Sequence, residues 1–221
     1  MIIRRARLLD GARGAAGHAV IVDVFRAFTT AAFCVAAGAR EVVLVADHEQ
    51  ALAMKRVDPS LFLTGEIGGR PIPGFDAGNS PSVIERLDLS GRRVVQRTSA
   101  GTQGVVAASG ATAVVLASFV IAGATARYLH AAEEITLVAM GEKGSLGTNE
   151  DEACAAYLEA LLRGDRPAAP GWIDPIWLPE RGWPEWFPRR DAELALEVDR
   201  FDFALPVVRE DGLLVARPIR P

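Results

Sequence analysis

The chain has 221 residues, half of them hydrophobic and about a quarter charged, with a formal net charge of −4. That length holds one large domain or two small ones around a substantial core. The acidic balance offers no basic footprint for nucleic acid, and no stretch reaches membrane-spanning length without charged or turn residues.

Two cysteines, Cys34 and Cys154, stand far apart and suggest no disulfide framework, so a reducing cytoplasm is expected. The opening MIIRRARLLDG has too short an apolar run for a signal peptide. The expectation is a soluble cytoplasmic protein that binds neither membrane nor nucleic acid.

In chain order, residues 1–8 read as a strand, followed by a turn through Gly11, Gly14 and Gly17. Ala19 to Val24 is a buried strand interrupted by Asp23. Phe25 to Ala39 reads as a helix, with Gly38 placed for a left-handed stop. Glu41 to Ala46 is the next strand, and Asp47 is a plausible N-cap for a helix over 48–56. Leu61 to Thr64 leads into a loop from Gly65 to Pro81, whose glycines and prolines break both helix and central strand. Arg92 to Gln96 is a strand with a helix over 102–109, and Ala113 to Ala117 is another with a helix over 120–130. Ile135 to Met140 and a helix over 151–162 follow. This alternation predicts a three-layer α/β/α fold with a largely parallel or mixed sheet.

From Arg166 the composition changes. All four tryptophans (172, 177, 183 and 186) lie among prolines, followed by a short helix over 191–198 and candidate strands 206–209 and 213–217. Residues 1–165 are expected to form the core, and 166–221 an arm completing the same domain. The arm's aromatics would cover one sheet face, or serve as a lid or a homodimer interface.

Ligands of open α/β sheets bind beyond the carboxyl ends of the strands. Four strand ends here carry polar clusters: Asp23, Arg26, Thr29 and Thr30; Glu66, Asp76, Asn79 and Ser80; Arg97, Thr98, Ser99, Gly101 and Thr102; and the run GEKGSLGTNED at 141–151. Parallel strands would put all four on one edge. Asp23, Glu66, Asp76 and Asp151 are hard oxygen donors suited to Mg²⁺, which keeps waters for a substrate phosphate. RTSAGT places hydroxyls and a glycine at a helix start, where N–H groups meet an anion, and Arg26 and Arg97 can fork onto phosphate. Each residue also has a local explanation: Asp23, Thr98 and Ser99 as helix caps, Glu150 and Asp151 as complements to a helix dipole. Cys34 and Arg40 have the C-x5-R spacing of cysteine-dependent phosphatases, but Cys34 falls inside a helix whose N–H groups are already committed.

AVIVDVFRAFTTA, TGEIGGRPIPGFDAGNSP, RTSAGT and TNEDEACAAYL, in this order and spacing, resemble the 2-phosphosulfolactate phosphatase family from about residue 19 to 163, with an echo in DRFDFALPVV. The resemblance implies a Mg²⁺-dependent phosphatase acting on a small phosphorylated hydroxy acid, such as 2-phosphosulfolactate on the way to coenzyme M. It nominates Asp23, Arg26, Glu66 and Asp76 as catalytic residues. It also nominates Asp23, Glu66, Asp76 and Asp151 for the metal, and Asn79, Thr98, Ser99, Gly101 and Thr102 for the phosphate. Metal-activated water is the preferred nucleophile, and a carboxylate such as Asp23 the second. The chain departs from the family pattern at Ile67, where an arginine is common, at Ala100 and near Ile121, where asparagines are common. Those three changes support an alternative, a non-catalytic protein that binds a small anion on the same fold.

Overall fold

Runs of Val, Ile and Leu that bury both faces of a strand supply the sheet. The computed structural model describes residues 1–141, 149–168 and 184–221. The first strands are β1 (Ile2–Arg7), β2 (His18–Val22), β3 (Glu41–Leu44) and β4 (Phe62–Ile67). Two-residue pieces follow, β5 (Arg70–Pro71) and β6 (Ala77–Gly78), then β7 (Arg93–Arg97), β8 (Ala113–Ala117) and β9 (Glu134–Ala139). A terminal hairpin is formed by β10 (Leu205–Glu210) and β11 (Leu213–Ala216). The order across the sheet is β1-β9-β2-β8-β10-β11-β3-β7-β4-β5, with β6 also on β4.

The helices are α1 (Leu8–Arg13), α2 (Ala27–Ala36), α3 (His48–Val57), α4 (Pro81–Ile84), α5 (Gly101–Ala107), α6 (Ala122–Tyr128), α7 (Asn149–Leu162) and α8 (Arg189–Ala195). Side chains alternate between one core on one face of the sheet and two on the other. Ile21, Val42 and Leu44 face one that contains α2, while Val20 and Val22 face α7, and Val43 faces the α3 side. Helices therefore cover both faces, giving the three layers expected. Helix α2 is buried from Ala27 to Cys34, as an all-round apolar helix must be. Among the described residues no helix is long and apolar enough to cross a membrane.

Three local readings change. The glycine turn after β1 is helix α1, and Gly11 is required there because a Cβ would lie 3.0 Å from the Ala6 side chain. The loop from Gly65 is partly strand, since β4 continues to Ile67 and turns back through β5. The helix after β8 opens as a 3₁₀ turn over Phe119–Ile121.

The larger change concerns strand direction. β2, β8 and β9 are mutually parallel, and so are β3, β7 and β4. Between the two sets lies the C-terminal hairpin, with three successive antiparallel pairings: β8 with β10, β10 with β11, and β11 with β3. Along the ladder β3, β7 and β4 thus run opposite to β2, and a flat sheet would send their carboxyl ends to opposite edges. Strand twist of roughly 20–25° per step accumulates over the intervening strands. Helix α2 closes the remaining gap: Gln96 in β7 donates from Nε2 to the Ala27 carbonyl at 2.8 Å, joining the exit of β7 to that of β2.

Candidate active site

The exits of β2, β4 and β7 meet in a cavity of about 180 Å³. Its acidic wall is formed by Asp23, Glu66 and Glu150, and Asn79, Ser99 and Ala100 also face it. Arg26, Phe25, Trp186 and Phe187 form the wall opposite in character.

Asp23 follows β2 and is 5% exposed. Its Oδ1 accepts from the Ala27 N–H at 3.0 Å, so it does cap α2, as the local explanation holds. It also faces the cavity. Burial, reinforced by the Glu66 and Glu150 carboxylates, raises its pKa from the ordinary 3.8 to about 7, against the Ala27 and Gly101 N–H groups that favour the charged form. Gly101 permits this approach: a Cβ there would lie 2.8 Å from Asp23 Oδ2.

Glu66 ties two strand exits together. Its Oε2 accepts from the Gly69 N–H at 2.6 Å and the Ser99 hydroxyl at 3.0 Å, and Oε1 accepts from the Ser99 N–H. Ser99 Oγ in turn accepts from the Gly68 N–H at 2.9 Å. Arg97 donates to the carbonyls of Glu66 at 2.8 Å and Ala46 at 3.1 Å, so it braces the backbone beneath the site. Asn79 is 5% exposed, and its side-chain Oδ1 is buried without a hydrogen-bond partner. A buried amide oxygen without a partner calls for an explanation, and Asn79 lies on the wall of the cavity.

Arg26 is 4% exposed and follows a cis Phe25–Arg26 peptide bond. Its Nη1 donates to Asp191 Oδ2 at 2.8 Å and to the Trp186 carbonyl at 2.9 Å, and Nη2 donates to the Gly69 carbonyl at 3.3 Å. The guanidinium lies over the Phe187 ring at 4.5 Å. Asp191, fully buried on α8, also accepts from Ser80 Oγ at 2.8 Å and the Ser82 N–H at 3.0 Å. One buried ion pair thus holds α8, α4 and the exit of β2 together.

Other candidates stand elsewhere. Asp76 does not line the cavity: its carboxylate pairs with Lys55 and accepts from the Leu63 N–H at 2.7 Å, securing the return of the loop beside β4. Asp151 accepts from the Val24 N–H at 2.7 Å and the Gly141 N–H at 2.8 Å, joining the exits of β2 and β9. Burial, with Asp23 and Glu150 nearby, pushes its pKa well up. Thr98 and Thr102 bond each other around the start of α5: the Thr102 N–H donates to Thr98 Oγ1 at 3.0 Å, and the Thr98 N–H to Thr102 Oγ1 at 2.8 Å. Both are turned into the turn rather than the cavity. Of the four acids proposed for the metal, Asp23 and Glu66 share the cavity and Asp151 lies close enough to feel the Asp23 charge, while Asp76 stands apart; the N–H groups of Ser99 and Thr102 are spent within the protein. Gly144, Gly147 and Thr148 of the 141–151 run, the side chain of Asn149, and Trp172, Trp177 and Trp183 of the arm lie outside the described residues.

Of the three departures, Ala100 faces the cavity, Ile67 is exposed at the β4 turn, and Ile121 is fully buried in the core beside α2. Cys34 lies inside α2, where burial pushes its thiol pKa up, so no thiolate pairs with Arg40. Sequence reasoning placed Glu150 in a strand-end cluster without a ligand role and Trp186 only in the arm, and gave no role to Phe25, Phe187 or Asp191. Glu150 and Asp151 differ by one helical step of roughly 100°, and nothing local says which faces the ligand. The spacing between Arg26 and Asp191 carries no signal at all.

An α/β/α protein with an acid-lined cavity at its strand exits has the place where such folds bind small ligands. The chain belongs to the 2-phosphosulpholactate phosphatase family, whose model matches residues 6–172. It is similar to a probable 2-phosphosulfolactate phosphatase of Deinococcus radiodurans, 43% identical over 147 residues, which is 65% of this chain and 61% of that protein. Proteins of the same description from Caldicellulosiruptor saccharolyticus and Bacillus subtilis are 36% and 32% identical, each over 66% of this chain and over 62% and 64% of their own lengths. The chain spans about three-fifths of the length of the curated relatives it matches.

Proposed function

We propose that this protein hydrolyses a small phosphate monoester in the cavity at Asp23, with Mg²⁺ as its cofactor. The observation that carries the reading is Asp23 itself: a buried carboxylate held beside Glu66 and Glu150, whose charge a divalent cation would compensate. Mg²⁺ takes one or two carboxylates and keeps its other positions for water and phosphate. Asp23 and Glu150 fit that mode, and Asn79, whose Oδ1 is buried without a partner, lies beside them on the same cavity. Among the described residues no group of three or more His, Cys, Asp or Glu is placed to hold a metal ion, so the proposal rests on Asp23 and Glu150 alone among the acids.

When bound, Mg²⁺ supplies charge neutralisation for the phosphoryl oxygens and acidifies a water for attack. The chain's own residues do the rest. Asp23, its pKa raised to about 7, holds its proton more tightly than an ordinary carboxyl and would give it up where a cation is bound. Glu66, anchored by Ser99 and Gly69, keeps the exits of β4 and β7 at a fixed separation. Arg26 has N–H groups beyond those given to Asp191, Trp186 and Gly69, and offers them to a phosphoryl oxygen. The aromatic wall excludes water, which strengthens each of these interactions.

The test is phosphate release from a panel of small monoesters, beginning with 2-phosphosulfolactate, the substrate in the relatives' names. Turnover is expected to stop with EDTA and return with Mg²⁺. Unchanged turnover in EDTA, or none with any ester, contradicts the proposal.

A further inference from the structure

A buried charge pair often docks a helix less well than two apolar side chains of similar size, because both charges give up water. Helix α8 already has apolar contacts: Leu194 packs in the core that contains α2, and Ala195 in the core beside α7. Asp191 nonetheless stands fully buried on the same helix, with its charge set against Arg26. What distinguishes Arg26 is its place, on the wall of the cavity.

On that cavity the arginine has other carboxylates to turn to, since Asp23, Glu66 and Glu150 line the same space. Opposite charges withdrawn from water attract strongly. A guanidinium free to turn would fold onto those acids and take up the charge that the proposed cation compensates. Three acceptors hold it away. Asp191 Oδ2 and the Trp186 carbonyl accept from Nη1 at 2.8 and 2.9 Å, and the Gly69 carbonyl accepts from Nη2 at 3.3 Å. The guanidinium carbon lies 4.5 Å from the centre of the Phe187 ring and 5.8 Å from that of Trp186. Of the three acceptors only Asp191 is charged. Its own orientation is set by Ser80 Oγ and the Ser82 N–H, which both donate to Oδ1, so Oδ2 is turned to the arginine. A guanidinium carries five N–H groups in a rigid fork, so fixing one side of it aims the other.

Resting on the phosphatase reading above, we propose that Asp191 is a positioning residue for the reaction: it holds the Arg26 guanidinium off the acidic wall and aims its remaining N–H groups at the phosphoryl group. Asp191 lies beyond residues 6–172, the part matched to the family, so the C-terminal segment supplies a part that the reaction needs.

The test uses the full chain with Mg²⁺ and the best ester of the panel. Arg26→Ala and Asp191→Asn are each expected to lower kcat/KM at least about a hundredfold, on the scale of a lost donor to developing charge. The double variant is expected to fall within about threefold of Arg26→Ala, because Asp191 then has nothing to position. Losses that multiply in the double variant overturn the inference, since a merely structural role acts in either background. So does an Asp191→Asn rate within about threefold of the parent. Arg26→Met, with and without Asp191→Leu, repeats the comparison in a pair of variants of which the double leaves no buried charge. Equal rates are expected, and a further loss on adding Asp191→Leu overturns the inference. Guanidinium ion, added below denaturing concentration, gives a separate readout. It is expected to raise the rate of Arg26→Ala at least about tenfold and to leave Arg26→Ala with Asp191→Leu unchanged, because Asp191 is the charge that binds it. Recovery in both, or in neither, overturns the inference. No turnover by the parent with any ester overturns the phosphatase reading, and this inference falls with it.

Discussion

At the scale of single residues, the cavity turns on how each carboxylate is used. Asp76 and Asp151 have both oxygens engaged in bonds that hold loops to strands, and Glu66 is largely spent on Ser99 and Gly69. Asp23 and Asp151 both have raised pKa values, and of the two it is Asp23 that lines the cavity, where a ligand would change its protonation. Its folded pKa of about 7 lies above the ordinary 3.8, so the folded state holds this proton more tightly than the unfolded chain. Its contribution to stability is therefore full below about pH 4 and is lost as pH rises through about 7. The thermal midpoint of the metal-free protein is expected to fall more steeply between about pH 5 and 8 than that of Asp23→Asn, measured by calorimetry. Mg²⁺ should recover the loss in the parent and not in the variant. Parallel profiles would mean that Asp23 titrates normally. Asp76→Asn is expected to lower the midpoint by only about 2–4 °C, because its ion pair with Lys55 is part-exposed.

At the scale of elements, the Arg26–Asp191 pair joins α8 to the exit of β2 across a long stretch of chain, with both side chains buried. Breaking such a pair leaves an uncompensated buried charge, at about 3–5 kcal/mol. Asp191→Ala is expected to lose that much in urea unfolding, and Arg26→Met with Asp191→Leu is expected to recover part of it. A loss under about 1 kcal/mol for Asp191→Ala would show that the pair is not holding these elements. Apolar runs and glycine punctuation made β2, β3, β7, β8 and β9 legible, because buried strands announce themselves locally. Asp191 could not be found that way: its partners are Arg26, Ser80 and Ser82, and no local pattern links them.

For the whole molecule, the decisive feature is the terminal hairpin. Two short strands expected at residues 206–209 and 213–217, in an arm completing the domain, fill the middle of the sheet, with β10 on β8 and β11 on β3. Nothing in their composition marks them as central, and Pro206 points the other way, since proline favours edges. It is tolerated at the second position of β10, opposite Val115. The expected single edge of parallel strand ends was thus the wrong reason for a site that nonetheless forms from the exits of β2, β4 and β7. Deleting residues 205–221 is expected to leave no cooperative unfolding transition by circular dichroism, because it separates β8 from β3. A truncated chain that melts cooperatively would place the hairpin outside the folding unit.

The reaction proposed for the cavity at Asp23 does not need the acid of the GFDAGNSP block. The decisive comparison is Mg²⁺-dependent phosphate release by Asp23→Asn and Asp76→Asn, assayed side by side with the parent on the best ester. Asp23→Asn is expected to lose at least about a hundredfold, on the scale of removing a group that acts at the reacting phosphate. Asp76→Asn, whose substitution touches only a brace, is expected to keep a rate within about threefold of the parent. An active Asp23→Asn beside an inactive Asp76→Asn would contradict the proposal.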